Sequence, residues 1–142
     1  MDEHSWVVLH VEDDEQVSAG TRMLLQAYGY HVISTANGAD ALRLLATEKV
    51  IPDVLIADIM LPGEIDGIDV AEETRRIMRH VVPTVLLSGE LTSAGMPWLP
   101  GTPLICLWKP ADPEALVAVV DAFARLGRLL QTRAGAAERV VR

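Results

Sequence analysis

Four apolar runs in this sequence each end in a residue able to handle a metal ion or a phosphoryl group. Val7-Val8-Leu9-His10-Val11 leads into Glu12, Asp13 and Asp14, and Val54-Leu55-Ile56-Ala57 is closed by Asp58. Val85-Leu86-Leu87 is closed by Ser88, and Leu104-Ile105-Cys106-Leu107-Trp108 leads into Lys109 and Pro110. Carboxylates titrate near ~4 and are ionised at neutral pH. Two such charges ~4 Å apart repel by several kcal/mol at an effective dielectric of ~20. If Glu12, Asp13 and Asp58 converge, they therefore call for a cation or a raised pKa. Oxygen donors completed by water suit Mg²⁺. An aspartate beside such an ion can also accept a phosphoryl group as an acyl phosphate. That transfer needs alignment and charge neutralisation more than covalent help. The ion, the ammonium of Lys109 and the hydroxyl of Ser88 are the groups suited to the phosphoryl oxygens.

For these residues to meet, the runs must be neighbouring strands of one sheet. The intervening segments read as helices. Residues 14 to 28 carry Val17, Met23, Leu24, Ala27 and Tyr28 at roughly helical spacing, and Gly29 ends the segment. His31 to Ala36 reads as a less apolar strand, nearer an edge. Asn37 is placed to cap the next helix, with Asp40 returning the bond. Gly67 to about Arg79 forms another helix, and Pro83 introduces a strand. Asp112-Pro113-Glu114 starts the last helix, expected to run to about Gln131. Residues 91 to 103 hold Gly95, Pro97, Pro100, Gly101 and Pro103, so at most a short helix is expected there. Alternating strands and helices predict an α/β fold. It is a flavodoxin-like, doubly wound, five-stranded parallel sheet in the order 2-1-3-4-5, with helices on both faces.

The 142 residues suffice for one core. The formal charge is −8, which disfavours contact between the body of the chain and a nucleic-acid backbone. Basic residues collect at the C-terminus, where Arg125, Arg128, Arg133, Arg139 and Arg142 face one acid, Glu138. A solvated or frayed tail is expected there. Cys106 is the single cysteine, which fits a reducing compartment. No run is long enough to span a bilayer, and the expected location is the cytoplasm.

Taken in order, Val11-Glu12-Asp13-Asp14, Ile56-Ala57-Asp58-Ile59-Met60-Leu61-Pro62-Gly63, Asp66-Gly67, Ser88-Gly89 and Lys109-Pro110 make a specific pattern. On these motifs the chain resembles the receiver domain of two-component response regulators. The resemblance covers residues 5–126, leaving 127–142 as an extension of the last helix and a basic tail. It implies that Asp58 is the phospho-acceptor and that Asp13 ligates Mg²⁺ directly with Asp58. Glu12 acts on the metal through water, and the backbone carbonyl of Met60 also binds it. Ser88 and Lys109 contact the phosphoryl group. The donor implied is a phosphohistidine on a sensor histidine kinase or a histidine phosphotransfer protein. The domain would catalyse only its own phosphorylation and dephosphorylation, and would not otherwise be an enzyme. With no DNA-binding domain or membrane segment expected, output would run through an unknown downstream protein, a homodimer, or a role as phosphate shuttle or sink.

Three departures from the family pattern stand out. Cys106 occupies the position of a common aromatic residue, the fourth helix is degraded by its prolines and glycines, and the loop from Gly63 to Gly67 is one residue longer than the common one. The first two support an alternative, a pseudo-receiver that binds without the usual switch. A Mg²⁺-dependent phosphatase using an aspartyl phosphate is a further alternative, but its nucleophile would follow the first strand. Bland readings fit the remaining candidates. Asp53 and Asp66 read as loop residues, Gly67 as a turn residue, His10 as a packed imidazole and Cys106 as a core thiol, while Trp98 reads as an exposed docking residue or, by preference, a loop anchor. His4, His31 and His80 form no metal spacing.

Overall fold

The computed structural model describes residues 5–47, 50–89 and 97–141, with side chains described to residue 135. Five strands form one parallel sheet: β1 (Val7–Val11), β2 (His31–Thr35), β3 (Val54–Asp58), β4 (Thr84–Ser88) and β5 (Leu104–Trp108). Their order is β2-β1-β3-β4-β5, as the alternation predicts. Among the described residues there are four helices: α1 (Glu15–Ala27), α2 (Gly38–Thr47), α3 (Gly67–Met78) and α4 (Pro113–Val141). None of them is long and apolar enough to cross a membrane.

The strands are continuous apolar runs because a parallel sheet is covered on both faces. Successive side chains alternate between the two layers. Leu9, Val11, Leu55, Ala57 and Leu86 pack with Ala41, Leu45, Val70 and Ala71 of α2 and α3. Val8, Val54, Ile56, Val85 and Leu87 pack with Leu25 of α1 and Leu116, Val120 and Ala124 of α4. All five residues of β3 are buried. Because parallel strands point the same way, their carboxyl ends share one edge. The register there pairs Val11 with Ala57, Asp58 with Leu87 and Ser88 with Trp108.

The helix starts are set by aspartates. Asp14 Oδ1 accepts the N–H groups of Gln16 and Val17 at 2.9 and 3.1 Å. Asp112 Oδ2 accepts that of Ala115 at 2.9 Å. Asn37 caps α2 through Asp40 N–H at 2.8 Å, and Asp40 takes the Asn37 side-chain amide in return. Each bond satisfies donors that the helix cannot pair internally.

Several expectations need correction. The last helix does not stop near Gln131; it continues to Val141. The stretch after Gln131 has no proline and is rich in alanine and arginine, which favour helix. The basic tail is therefore helical through Val141. Asp66 is not a plain loop residue. It caps α3, exchanging bonds with Asp69 at 2.8 and 3.0 Å in a capping box. Trp98, preferred as a loop anchor, is 78% exposed, as the docking alternative would have it. Residues 97–103 carry no helix, only a turn in which Thr102 N–H reaches the Leu99 carbonyl at 3.1 Å. The rest of the expected irregular stretch, 91 to 96, lies outside the described residues.

Candidate functional site

The carboxyl edge gathers the predicted residues. Glu12 follows β1 directly because its N–H continues the ladder, bonding the Thr35 carbonyl at 3.0 Å. Asp58 is the last residue of β3. Both side chains are buried, whereas Asp13 is exposed at the rim. One carboxylate oxygen from each of Glu12, Asp13 and Asp58 lies within 4.8 Å of the others. Lys109 reaches in from beyond β5. Its backbone N–H bonds the Ser88 carbonyl at 2.8 Å, which fixes where the side chain begins. Its Nζ stands 2.9 Å from Glu12 Oε1 and 2.9 Å from Asp58 Oδ2. Ser88 is half-buried and ends β4, one residue past the partner of Asp58.

The loop after Asp58 is held close. Ile59 N–H bonds the Leu87 carbonyl at 2.9 Å, and Gly67 N–H bonds the Ile59 carbonyl at 3.0 Å. A Cβ on Gly67 would lie 2.1 Å from the Asp58 carbonyl oxygen. Gly67 thus serves close approach of α3 to the site, not the turn expected of it. Met60 lies at the surface, 80% exposed, on the short segment between Asp58 and α3.

Electrostatics follow from this geometry. Burial, followed by the Glu12 carboxyl, pushes Asp58 up to about 7 against the opposing pull of Lys109. Burial also works against ionised Glu12, but hydrogen bonds from Asp58, Lys109 and the Asp14 N–H outweigh it and hold Glu12 below its usual value. The two carboxyls titrate as a pair, in which Glu12 ionises more readily than Asp58. Burial opposes ionised Lys109, yet its two carboxylate partners raise it.

The donor set fits a hard divalent cation. It offers oxygens only, from three acids, two of them buried. Asp58 Oδ1 is buried with no hydrogen-bond partner among the described residues, the state expected of a ligand atom facing its ion. Glu12, Asp13 and Asp58 could hold such an ion, with the Met60 carbonyl on the adjoining segment as a further candidate.

A parallel sheet in this order with acids, hydroxyl and lysine at one edge defines a class, and the comparisons bear on it directly. A family model of the response regulator receiver domain matches residues 8–121. The chain belongs to that family, a family of signalling domains. Similar proteins include the transcriptional regulatory protein AfsQ1 of Streptomyces coelicolor, 36% identical over 57% of this chain and 34% of its own. CseB of the same organism, also a transcriptional regulatory protein, is 30% identical over 83% of this chain and 49% of its own. Among solved structures, the receiver domain of the hybrid histidine kinase CckA is 31% identical, with a TM-score of 0.69 over 83% of this chain and 98% of that one. A receiver protein of Sinorhizobium medicae has a TM-score of 0.75 at 22% identity, over 89% and 99% of the two chains, which speaks for the fold.

These relatives overturn one expectation. It is the expectation of a receiver with no DNA-binding domain, giving output through protein contact, a homodimer or a shuttle. The proteins it matches are transcriptional regulators, and the matched segment spans a third to a half of their length. The span of 142 residues therefore carries no statement about output.

Sequence reasoning missed one cluster at the opposite edge of the sheet. Asp53, expected in a loop, is 1% exposed and accepts four hydrogen bonds or ion-pair contacts. Its partners are Val7 N–H, two nitrogens of Arg128 and the amide of Gln131. The visible signal was Arg128 and Gln131 three residues apart on one helical face.

Proposed function

We propose that this domain accepts a phosphoryl group from a protein phosphohistidine onto Asp58. An Asp58 carboxylate oxygen attacks phosphorus, the new P–O bond forms, and the P–N bond breaks with its electron pair leaving on the imidazole. Lys109 already stands 2.9 Å from Asp58 Oδ2 and is placed to pair with a phosphoryl oxygen. Ser88, at the end of the adjacent strand, supplies a hydroxyl on the same edge. Ionised Glu12 holds Lys109 in place through its own contact. Asp13 and Asp58, with Glu12 through water and the Met60 carbonyl, are assigned to Mg²⁺. Bound there, the ion would favour ionised carboxylates and offset charge on the phosphoryl oxygens. The domain turns over no separate substrate.

The observation that carries this reading is the buried Asp58 carboxylate, its Oδ1 without a partner among the described residues, within 4.8 Å reach of two other acids and beside a lysine. Incubation with a small acyl phosphate and Mg²⁺ should add one phosphoryl group, seen by intact mass, and none to Asp58→Asn. An unmodified protein, or equal modification of the variant, would overturn it. A second reading, a receiver with altered switching, draws on Cys106 standing half-buried where the family carries an aromatic.

A further inference from the structure

β3 and α4 are tied together at both ends. At the carboxyl edge, Lys109 pairs with Asp58, the last residue of β3, and α4 begins shortly after it at Pro113. At the opposite edge, Asp53 immediately precedes β3. Its Oδ1 takes Arg128 Nε at 2.8 Å and its Oδ2 takes Arg128 Nη2 at 2.9 Å. Gln131 Nε2 donates to the same carboxylate at 2.9 Å, and Val7 N–H at 2.8 Å. The Arg128 guanidinium lies 4.7 Å from the centre of the Trp6 ring. The helix also touches the strand's approach directly: a Cβ on Gly127 would come 1.9 Å from the Asp53 carbonyl oxygen. Fork-shaped pairing and backbone contact together forbid sliding or rolling at this point.

The dimensions make this a lever. At ~1.5 Å per residue, the 29 residues of α4 span roughly 43 Å, against roughly 17 Å for a five-residue strand. Arg128 divides the helix into two arms of roughly 20 Å each. One arm leads back to the phosphoryl pocket. The other runs past the end of the sheet to Val141.

We propose that the Asp53–Arg128 pair is a fulcrum on which α4 turns when Asp58 is phosphorylated, making the helix beyond Gln131 the moving output arm. This rests on Asp58 being the acceptor. A phosphoryl group on Asp58 occupies space beside the ammonium of Lys109, which must withdraw or re-pair with the phosphoryl oxygens. Lys109 connects through Pro110, Ala111 and the cap Asp112 to the start of α4. The lower tie keeps its partners. One end shifted and one point fixed give rotation, and rotation moves the far arm. This route does not depend on position 106, where the aromatic is missing.

The test uses the full chain with spin labels at Thr132→Cys and Thr47→Cys on a Cys106→Ser background, treated with acyl phosphate and Mg²⁺. Intact mass and the label distance are read on one sample. The expected result is a single adduct with a shifted distance distribution. Asp53→Asn, or Arg128→Gln should the first variant not fold, keeps the adduct and loses the shift. An adduct with an unchanged distance means the lysine stem absorbs the displacement, and it overturns the fulcrum alone. The absence of any adduct overturns the acceptor reading and the fulcrum with it.

Discussion

The carbonyl oxygen of Asp58 lies 2.1 Å from where a Cβ on Gly67 would stand. No side chain fits between them, so the start of α3 can seat beside the site only with glycine at this position. Gly67→Ala must push backbone from backbone. Overpacking of this kind costs about 1–3 kcal/mol. The displaced atoms belong to the residue that carries the proposed acceptor. The variant should unfold at lower denaturant concentration and also bind Mg²⁺ more weakly, by fluorescence or calorimetric titration. Loss of stability with unchanged Mg²⁺ affinity would show that the contact serves packing alone.

Asp58→Asn should stabilise the metal-free domain, and more so at higher pH. The folded-state pKa of Asp58 is raised to about 7 by burial and then by Glu12. In the unfolded chain it titrates near its ordinary value. Between these values the folded state binds the extra proton, so stability falls as pH rises through that window. The amide never ionises. Its advantage should be small near pH 4 and about 1–3 kcal/mol at pH 8, allowing for the coupled titration with Glu12. Urea melts of both proteins at several pH values decide it. Adding Mg²⁺ should stabilise the native protein more than the variant, reversing the order.

What could be read from the sequence was whatever a local pattern reports. Apolar runs ended in Glu12, Asp58, Ser88 and Lys109, and parallel strands share one carboxyl edge, so convergence followed from topology. The caps at Asp14 and Asp112 were legible because capping is a matter of three or four residues. Gly67 and Gly127 were not, because what they approach lies on another element. Asp53 sits in the loop before β3 as expected, but its partners were hidden for the same reason. An aspartate before a strand reads as loop until a helix 75 residues later delivers Arg128. The helix end was misjudged because the spacing of Leu126 and Leu130 marks where packing fades, not where hydrogen bonding stops.

His10 should make the domain acid-sensitive. It is fully buried on β1, and neither ring nitrogen has a partner among the described residues. Burial drives its pKa down to about 4, against the pull of Glu12 and with help from Arg22 and Lys109. The unfolded chain takes up the proton near the ordinary value of 6.5, while the folded chain refuses it until about 4. Stability is therefore intact above 6.5 and is lost as pH falls through that window, by about 3 kcal/mol in all. His10→Val should flatten this part of the profile in urea melts between pH 7 and pH 4. A variant with the same acid slope as the native protein would remove His10 from the account.

Breaking the Asp53 cluster should cost far more than breaking an ion pair on the surface. Asp53→Ala leaves the Val7 N–H and the Gln131 amide without their acceptor and strands Arg128 beside Trp6. Removing one member of a buried pair costs about 3–5 kcal/mol. Arg128 is 39% exposed and can turn to water, so the loss should sit lower, at about 2–4 kcal/mol. Arg76 and Glu73 also form an ion pair, on α3, but Arg76 is 77% exposed and Glu73 34%, against 1% for Asp53. Glu73→Gln should leave the denaturation midpoint where it is. The comparison isolates burial from charge: similar losses in the two variants would mean that pairing itself, not desolvated pairing at the foot of β3, holds the long helix down.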